Sequence, residues 1–414
     1  MKYFSFILSL ISLPLLAAQY ELRGNIEYKL INYTDNVGQN LGQYSSFNFE
    51  QKSKFNNHWM ALNQFRARSM SLENDVDTKI TPTKKNSFES IIGENYLRFQ
   101  SDKVIIQAGF QEVVWGEAFG FNYADFINPK DDRITFYSLQ SDARLPLLLL
   151  NTKFFFPIGS LQILYGPRPE FSKTLPIDLF IGSSLIQDKV IINKEKSPSL
   201  FKESEYGFKL STSFIGFDIS AFYFNLLDTN PFYTASNVSL STITLNENHG
   251  RVSKEGISFV KTIYEFVLRS DFILSNNVNF NYFSGLNLLN YQSKTTEIVL
   301  SLDTPTYNKY TGYLIAAHKT QDLYYTGSFQ NQTEDNIIAK ISKSLDNEKS
   351  LELSYSHDIK NSGKAIQALI NWPVNNDTEI KIGTEYYFGD EKSTFAKMKR
   401  INNIFFSLKN FFKL

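Results

Sequence analysis

Along most of this chain apolar and polar residues alternate one by one. In YELRGNIEYKL (20–30), Tyr20, Leu22, Ile26, Tyr28 and Leu30 fall on one face; Glu21, Arg23, Asn25, Glu27 and Lys29 fall on the other. SLELSYSHDI (350–359) sets Leu351, Leu353, Tyr355 and Ile359 against Ser350, Glu352, Ser354, Ser356 and Asp358. TEIKIGTEYYF (378–388) opposes Ile380, Ile382, Tyr386 and Phe388 to Glu379, Lys381 and Glu385. Successive side chains of a strand point to opposite faces, so a period of two predicts half-buried strands from end to end rather than helices.

The interruptions between these segments also alternate, between short and long. Tight turns fit at Asn56-Asn57, Asp102-Lys103, Ile158-Gly159, Ile215-Gly216, near Tyr264, at 292–295, Gln321-Asp322, 346–349 and 375–378. Longer segments occupy 73–86, 116–146, 166–203, 227–252 and 389–401. Short turns on one rim and long loops on the other are the habit of outer-membrane barrels. The expected fold is therefore all-β: one transmembrane antiparallel β-barrel of about 16–20 strands, even in number, with a loop folded into or over the lumen. The final strand, NNIFFSLKNFF, carries Phe406, Leu408 and Phe412 on one face, the aromatic pattern expected of a signal for the barrel assembly machinery.

Composition sharpens this picture. The 414 residues include 37 Phe and 23 Tyr, yet mean hydropathy is −0.25. Each barrel strand shows an apolar residue to lipid and a polar one to the lumen, which reconciles the two numbers. The opening MKYFSFILSLISLPLLAAQ has the charged start, apolar run and small-residue end of a secretory signal. It implies residues 1–18 as a signal peptide for Sec-dependent export, with 19–414 forming a single barrel domain in an outer membrane of the Gram-negative type. There are no cysteines, so thiolate catalysis and Cys-ligated metal sites are excluded. Lys+Arg and Asp+Glu are equal at 42, which lacks the basic footprint of a nucleic-acid binder.

One stretch breaks the alternation. VVWGEAFGFNYADFINPKDDR (113–133) follows a strand ending at Trp115 and brings in Gly116 and Gly120, an Asn128-Pro129 pair, and the acids Glu117, Asp125, Asp131 and Asp132, answered by Lys130, Arg133 and Arg144. Glycine permits tight local folding, and proline drives its predecessor out of the helical region. Phe119, Phe121, Tyr123, Phe126 and Ile127 make the segment too apolar for a solvated loop, so it needs a surface to cover. Strand parity aims Arg66 and Arg68 with Gln64, and Glu94 and Arg98 with Gln100, into the lumen as candidate wall partners. Two roles follow for 116–146: a constriction whose acids face wall arginines and tune selectivity, or a structural staple of the loop.

WGEAFGFNYADFINPKD resembles the signature of a family of proteobacterial outer-membrane barrels whose domain carries no assigned function. Its members have Trp-Gly-Glu-Ala-Asp-Gly, a spaced Asp, then Asn-Pro-x-Asp; Trp115, Gly116, Glu117, Ala118, Gly120, Asp125, Asn128, Pro129 and Asp131 match, while Phe119 stands where the family has an acid. DARLP at Arg144, GSLQILYGPRP (159–169) and the YGFKLS and EGISFVKTIYEFVLRSDF segments extend the likeness over most of the chain. The resemblance implies a transport channel associated with handling hydrophobic compounds. It also implies as partners a periplasmic lipid-carrier-like protein and a transporter of the resistance-nodulation-division type.

The function expected is passive passage of small or hydrophobic solutes, without cofactor or metal, in contact with outer-membrane lipid. A non-transporting surface receptor or scaffold barrel is the alternative, for which loops 166–203 and 227–252 are long enough. An outer-membrane hydrolase is the third class, but the chain has no G-x-S-x-G elbow. His58, His249, His318 and His357 are far apart, and the neighbours His357 and Asp358 belong on opposite faces of a strand. Asp131-Asp132 is an acidic pair of the kind that binds Ca²⁺, although a solvated loop is the plainer reading.

Overall fold

The computed structural model describes residues 19–34, 41–71, 86–118, 123–131, 144–173, 190–238, 243–285, 287–390, 393–399 and 402–413. Residues 1–18, and with them the expected signal peptide, lie outside the described residues.

Alternating segments become strands. The first seven are β1 (Gln19–Tyr33), β2 (Leu41–Lys54), β3 (Trp59–Ser71), β4 (Asn86–Gln100), β5 (Val104–Gln111), β6 (Leu147–Phe156) and β7 (Gly159–Gly166). Next come β8 (Val190–Asn193), β9 (Glu205–Phe214), β10 (Phe217–Leu227), β11 (Phe232–Val238), β12 (Ile243–Asn248), β13 (Arg251–Ile263) and β14 (Phe266–Ser284). The rest are β15 (Asn287–Asp303), β16 (Tyr310–Gln321), β17 (Thr333–Ser344), β18 (Ser350–Asp358), β19 (Gly363–Asn375), β20 (Thr378–Phe388) and β21 (Asn403–Lys413).

Eighteen of them form one sheet. Each pairs antiparallel with its neighbours, and β1 pairs with β21 from Arg23↔Lys413 to Tyr33↔Asn403, which closes the ring. Closure removes both sheet edges and satisfies the backbone of every strand, the condition for a sheet to sit in hydrocarbon. The remaining strands β8, β11 and β12 make a small separate sheet from the two long loops after β7 and β10. That sheet rests on the outer ends of β14 and β15, where Tyr233 N–H donates to Asn281 Oδ1 (2.7 Å) and Asn281 Nδ2 to Tyr233 O (2.7 Å).

The two faces separate as the alternation requires. Ile26, Tyr28, Leu351, Leu353, Tyr355, Ile382, Tyr386, Ile404 and Phe406 all point outward and are exposed. Their polar neighbours turn inward: Lys340 bonds Glu352 (2.7 Å) and Gln367 Nε2 donates to Glu385 Oε1 (3.0 Å) across the lumen wall. Apolar faces are thus on the outside of a closed ring, not packed against each other in a two-layer core.

Turn chemistry accounts for most of the connections. At Asn56-Asn57 the Asn56 Oδ1 accepts from His58 N (2.8 Å) and Trp59 N (2.9 Å), an Asx turn that stops the strand. Two expected turns differ. Residues 292–295 stay inside β15, opposite a bulge at Ser275/Val278, and Gln321-Asp322 opens a loop on the opposite rim. The turn that replaces them is 304–309, where Thr304 Oγ1 accepts from Gly312 N (2.9 Å) and Asn308 and Lys309 take positive φ.

Leu314 is exposed on the outer face of β16 and Ser354 lies inward on β18. Leu314→Arg is expected to cost about 2–4 kcal/mol of barrel stability in vesicles, and Ser354→Arg less than about 1 kcal/mol. Urea unfolding of vesicle-reconstituted protein checks the contrast, and equal losses would contradict the outward assignment.

Candidate functional site

The paired part of β5 ends at Gln111, four residues earlier than its apolar pattern suggests. Glu112 leaves the sheet because its N–H finds a side chain instead of a strand: it donates to Glu94 Oε1 (3.1 Å). Val113 N–H donates to Asn128 Oδ1 (2.7 Å), while Asn128 Nδ2 donates to Gln111 O (3.0 Å) and Leu145 O (3.0 Å). Leu145 N–H in turn donates to Pro129 O (2.8 Å). One buried amide therefore joins the departing end of the loop to its returning end. Asn serves here because it offers a donor and an acceptor on one short side chain.

From this clamp the chain crosses the lumen. Trp115 is 1% exposed; its Nε1 donates to Gln162 Oε1 on β7 (3.0 Å), and its ring meets Phe222 and Phe224 of β10 at 5.8 and 5.4 Å. Phe126 meets the same pair of rings, tilted against Phe222 and edge-on to Phe224. Ala124, Ile127, Leu147, Leu149, Leu164, Val252 and Ile273 complete this apolar cluster inside the barrel. Burying such a side chain contributes on the order of 1.5–3 kcal/mol, so the crossing segment is bound like a core.

Polar anchors fix its far end. Lys209 on β9 donates to Trp115 O (2.7 Å) and pairs with Glu117 (3.1 Å). Beyond Gly116, the fully buried Asp271 of β14 accepts Glu117 N–H at Oδ1 (3.1 Å) and Ala118 N–H at Oδ2 (2.9 Å). Ala118 then packs against Val299, Tyr313, Ile315, Ala317 and Ile338 of β15–β17. Residues 119–122, including Gly120, and 132–143 lie outside the described residues.

The acids expected to face wall arginines divide into two sets. Asp131, 1% exposed, meets Arg68 of β3, which also reaches Glu89 (3.4 Å). Arg66 reaches Glu112 (3.3 Å). Asp125 instead stays within the loop, gripped by both carboxylate oxygens on Arg144 Nε (2.9 and 3.1 Å) and by Lys130 (3.1 Å). Gln64 donates to Glu50 (2.6 Å), and Arg98 to Gln100 (2.7 Å) far from the loop. Glu89 was missed because a bulge at Asn63/Phe65 breaks the count of two along β4. Lys209 and Asp271 carry no local signal beyond being charged residues at inward strand positions.

The described part of the loop does not fill the whole lumen. Beside it a cavity of about 760 Å³ remains, lined by β1–β4, the end of β21 and the Asn376-Asp377 turn. Its walls include Arg23, Glu27, Glu50, Arg66, Arg144 and Lys409. Arg23 pairs with Glu50 (2.5 Å) and Lys413 with Glu21 (2.9 Å). Such wet pairs contribute about 0–1 kcal/mol each, so their charges stay available to a passing solute.

No family model matches the chain, and no curated protein matches it in sequence. Solved structures do match in fold. OccAB3 of Acinetobacter baumannii is 10% identical, covers 96% of this chain and 100% of its own, and has a TM-score of 0.55. OccK8 (OprE) of Pseudomonas aeruginosa is 8% identical with coverages of 96% and 99% and a TM-score of 0.54. A BenF-like porin from Pseudomonas fluorescens is 11% identical, with 96% and 98% covered and a TM-score of 0.51. The chain shares their barrel architecture.

Among the described residues no group of three metal-binding side chains converges. His357 Nδ1 lies 3.1 Å from Gly363 O, and Asp358 bonds Asn361, so these neighbours do not cooperate. The His–acid pairs that do form among the described residues are His318 with Asp335 (2.6 Å), across β16 and β17, and His249 with Glu247 (3.6 Å).

Asn128→Ala removes three hydrogen bonds and leaves buried backbone groups unsatisfied, at about 1–3 kcal/mol per group. The expected result is a lower urea midpoint together with new protease cleavage between 112 and 146, read by mass spectrometry. An unchanged midpoint and no new cleavage would refute the clamp.

Proposed function

We propose that this chain is an outer-membrane channel that passes small polar solutes passively along β1–β4, beside an inward-folded loop that walls off the rest of the lumen. The observation that carries this reading is the division of the interior. The described loop residues 112–118 and 123–131 build an apolar core against β6, β7, β10 and β13–β17, while the space by β1–β4 keeps a wall of paired charges. A charged, water-filled conduit favours hydrated solutes over the hydrophobic compounds that an apolar ladder would carry. Narrow passage is a property of pore width and wall charge, so the channel requires neither cofactor nor chemical energy, and no catalytic step enters. The fold shared with a BenF-like porin is consistent with this.

Within this reading Asp125 and Asp131 act as loop staples, since both carboxylates are buried against cations. Arg66, on the cavity wall, is the group that tunes selectivity.

In planar bilayers the folded protein is expected to give discrete conductance steps. Asn48→Trp, which narrows the cavity at β2, should lower the unitary step, and Arg66→Glu should shift the reversal potential in a salt gradient toward cations. Asp125→Ala with Asp131→Ala should leave selectivity unaltered. Folded protein without conductance steps would end the channel reading in favour of a receptor or scaffold.

A further inference from the structure

The short turns are not chemically alike. Those after β2, β4 and β19 present Asn56-Asn57, Asp102-Lys103 and Asn376-Asp377, all exposed and polar. Three consecutive hairpins instead carry a large exposed apolar or aromatic residue at the tip, the last of them beside the exposed Glu265. Their tips are Pro157-Ile158, Ile215-Gly216 and Tyr264-Glu265, with Ile158 76%, Ile215 73% and Tyr264 96% exposed. Ile215 and Tyr264 adopt φ of 51° and 56°, the left-handed region that asparagine or glycine occupies at much lower cost. Neither turn geometry nor solubility favours these residues at a water-exposed tip.

Strand length adds to this at the first two of these hairpins. A barrel strand tilted at 35–45° rises about 2.5 Å per residue along the membrane normal, so an apolar belt of about 25 Å takes roughly ten residues. β6, β7, β9 and β10 have 10, 8, 10 and 11 residues, whereas β13 and β14, which carry Tyr264, have 13 and 19, so that tip is placed in the arc by its exposed aromatic ring and not by strand length. β1–β4 have 15, 14, 13 and 15, enough to carry their polar turns clear of the belt. The apolar tips also continue the outer face without a break. Phe214 beside Ile215 is exposed, and Lys261 lies 3.9 Å over the Phe217 ring while donating to Ile215 O (3.2 Å). An ammonium set on an aromatic ring at the belt edge is placed to meet headgroup phosphate.

We infer that this arc of the short-turn rim, from the β6–β7 hairpin to the β13–β14 hairpin, is immersed in the lipid interface, while the β1–β4 side stands clear of it. The ligand of the arc is phospholipid: acyl-chain ends of the headgroup region for Ile158, Ile215 and Tyr264, phosphate for Lys261. The barrel therefore sits asymmetrically, and the cavity of β1–β4 opens on the side that projects into water. This rests on the membrane-spanning reading above.

The test uses full-length protein in phosphatidylcholine–phosphatidylglycerol vesicles, folded state verified by heat-dependent gel migration. Ile215→Trp and Tyr264→Trp report the arc, Asn57→Trp the polar rim, and Phe208→Trp the belt, each after subtraction of the wild-type signal from the three native tryptophans. Emission of the two arc reporters should be blue-shifted, about halved by lipid brominated near the headgroup, and protected from acrylamide, with Asn57→Trp showing the reverse. If both arc reporters behave like Asn57→Trp while Phe208→Trp is quenched by brominated lipid, the immersion is refuted and the apolar tips face the aqueous side as a protein-docking edge. If Phe208→Trp is not quenched either, the membrane-spanning reading itself fails.

Discussion

Hydrocarbon supplies no hydrogen-bond partners, and most of this structure follows from that constraint. A sheet in such a medium must satisfy every backbone N–H and C=O itself, and it does so only by joining its first strand to its last. The β1–β21 ladder is that join. It brings residues 23–33 beside residues 403–413, almost the full length of the chain apart. With the ring closed, one face of each strand is committed to the outside and the other to the lumen. The alternation of the sequence is the direct expression of this commitment.

The same constraint governs the loop after β5. A segment that leaves the wall and crosses the interior gives up its ladder bonds and needs replacements. Asn128 supplies them at the point of departure and Asp271 at the far wall. Between these anchors the loop contributes Trp115, Phe126 and Ile127 to a cluster with Phe222 and Phe224. The barrel wall is accordingly not polar throughout its inner face. Where the loop lies, inward Leu, Phe, Val and Ile form its apolar cluster, with Lys209, Asp271 and Gln162 as polar anchors; the cavity beside it is walled by Arg, Glu, Gln and Lys. One continuous ring thus holds a dry compartment and a wet one, and the boundary between them is drawn by the loop's own side chains. The channel reading draws on that division, since the cavity beside the loop is walled by the charged residues of β1–β4.

Much of the architecture was legible beforehand because its signals are local. The strands at 20–30, 350–359 and 378–388, the Asn56-Asn57 turn and the break in alternation after residue 112 each depend on neighbours within a few residues. The reading faltered where a strand adds a residue. The bulge opposite Asn63/Phe65 shifts the phase of β4, which hid Glu89 as the second partner of Arg68. Residues 292–295 fit a turn by residue type yet stay in β15, paired across from the bulge at Ser275/Val278. A single extra residue reverses which face every later side chain occupies, and nothing in a period of two announces it.

By itself, then, the sequence determined that the chain forms a wall of strands with an apolar outside, and that the segment from Trp115 to Arg144 must cover something. Those properties are fixed by side-chain type at short separation. Only the tertiary structure decided what that segment covers. Lys209 and Asp271 lie 94 and 153 residues beyond their partners Trp115 and Ala118, so they meet only after the curvature of a closed ring has brought opposite walls within reach of one loop. The division of the lumen belongs to that closure, because no stretch of the chain shorter than the whole ring contains both sides of it.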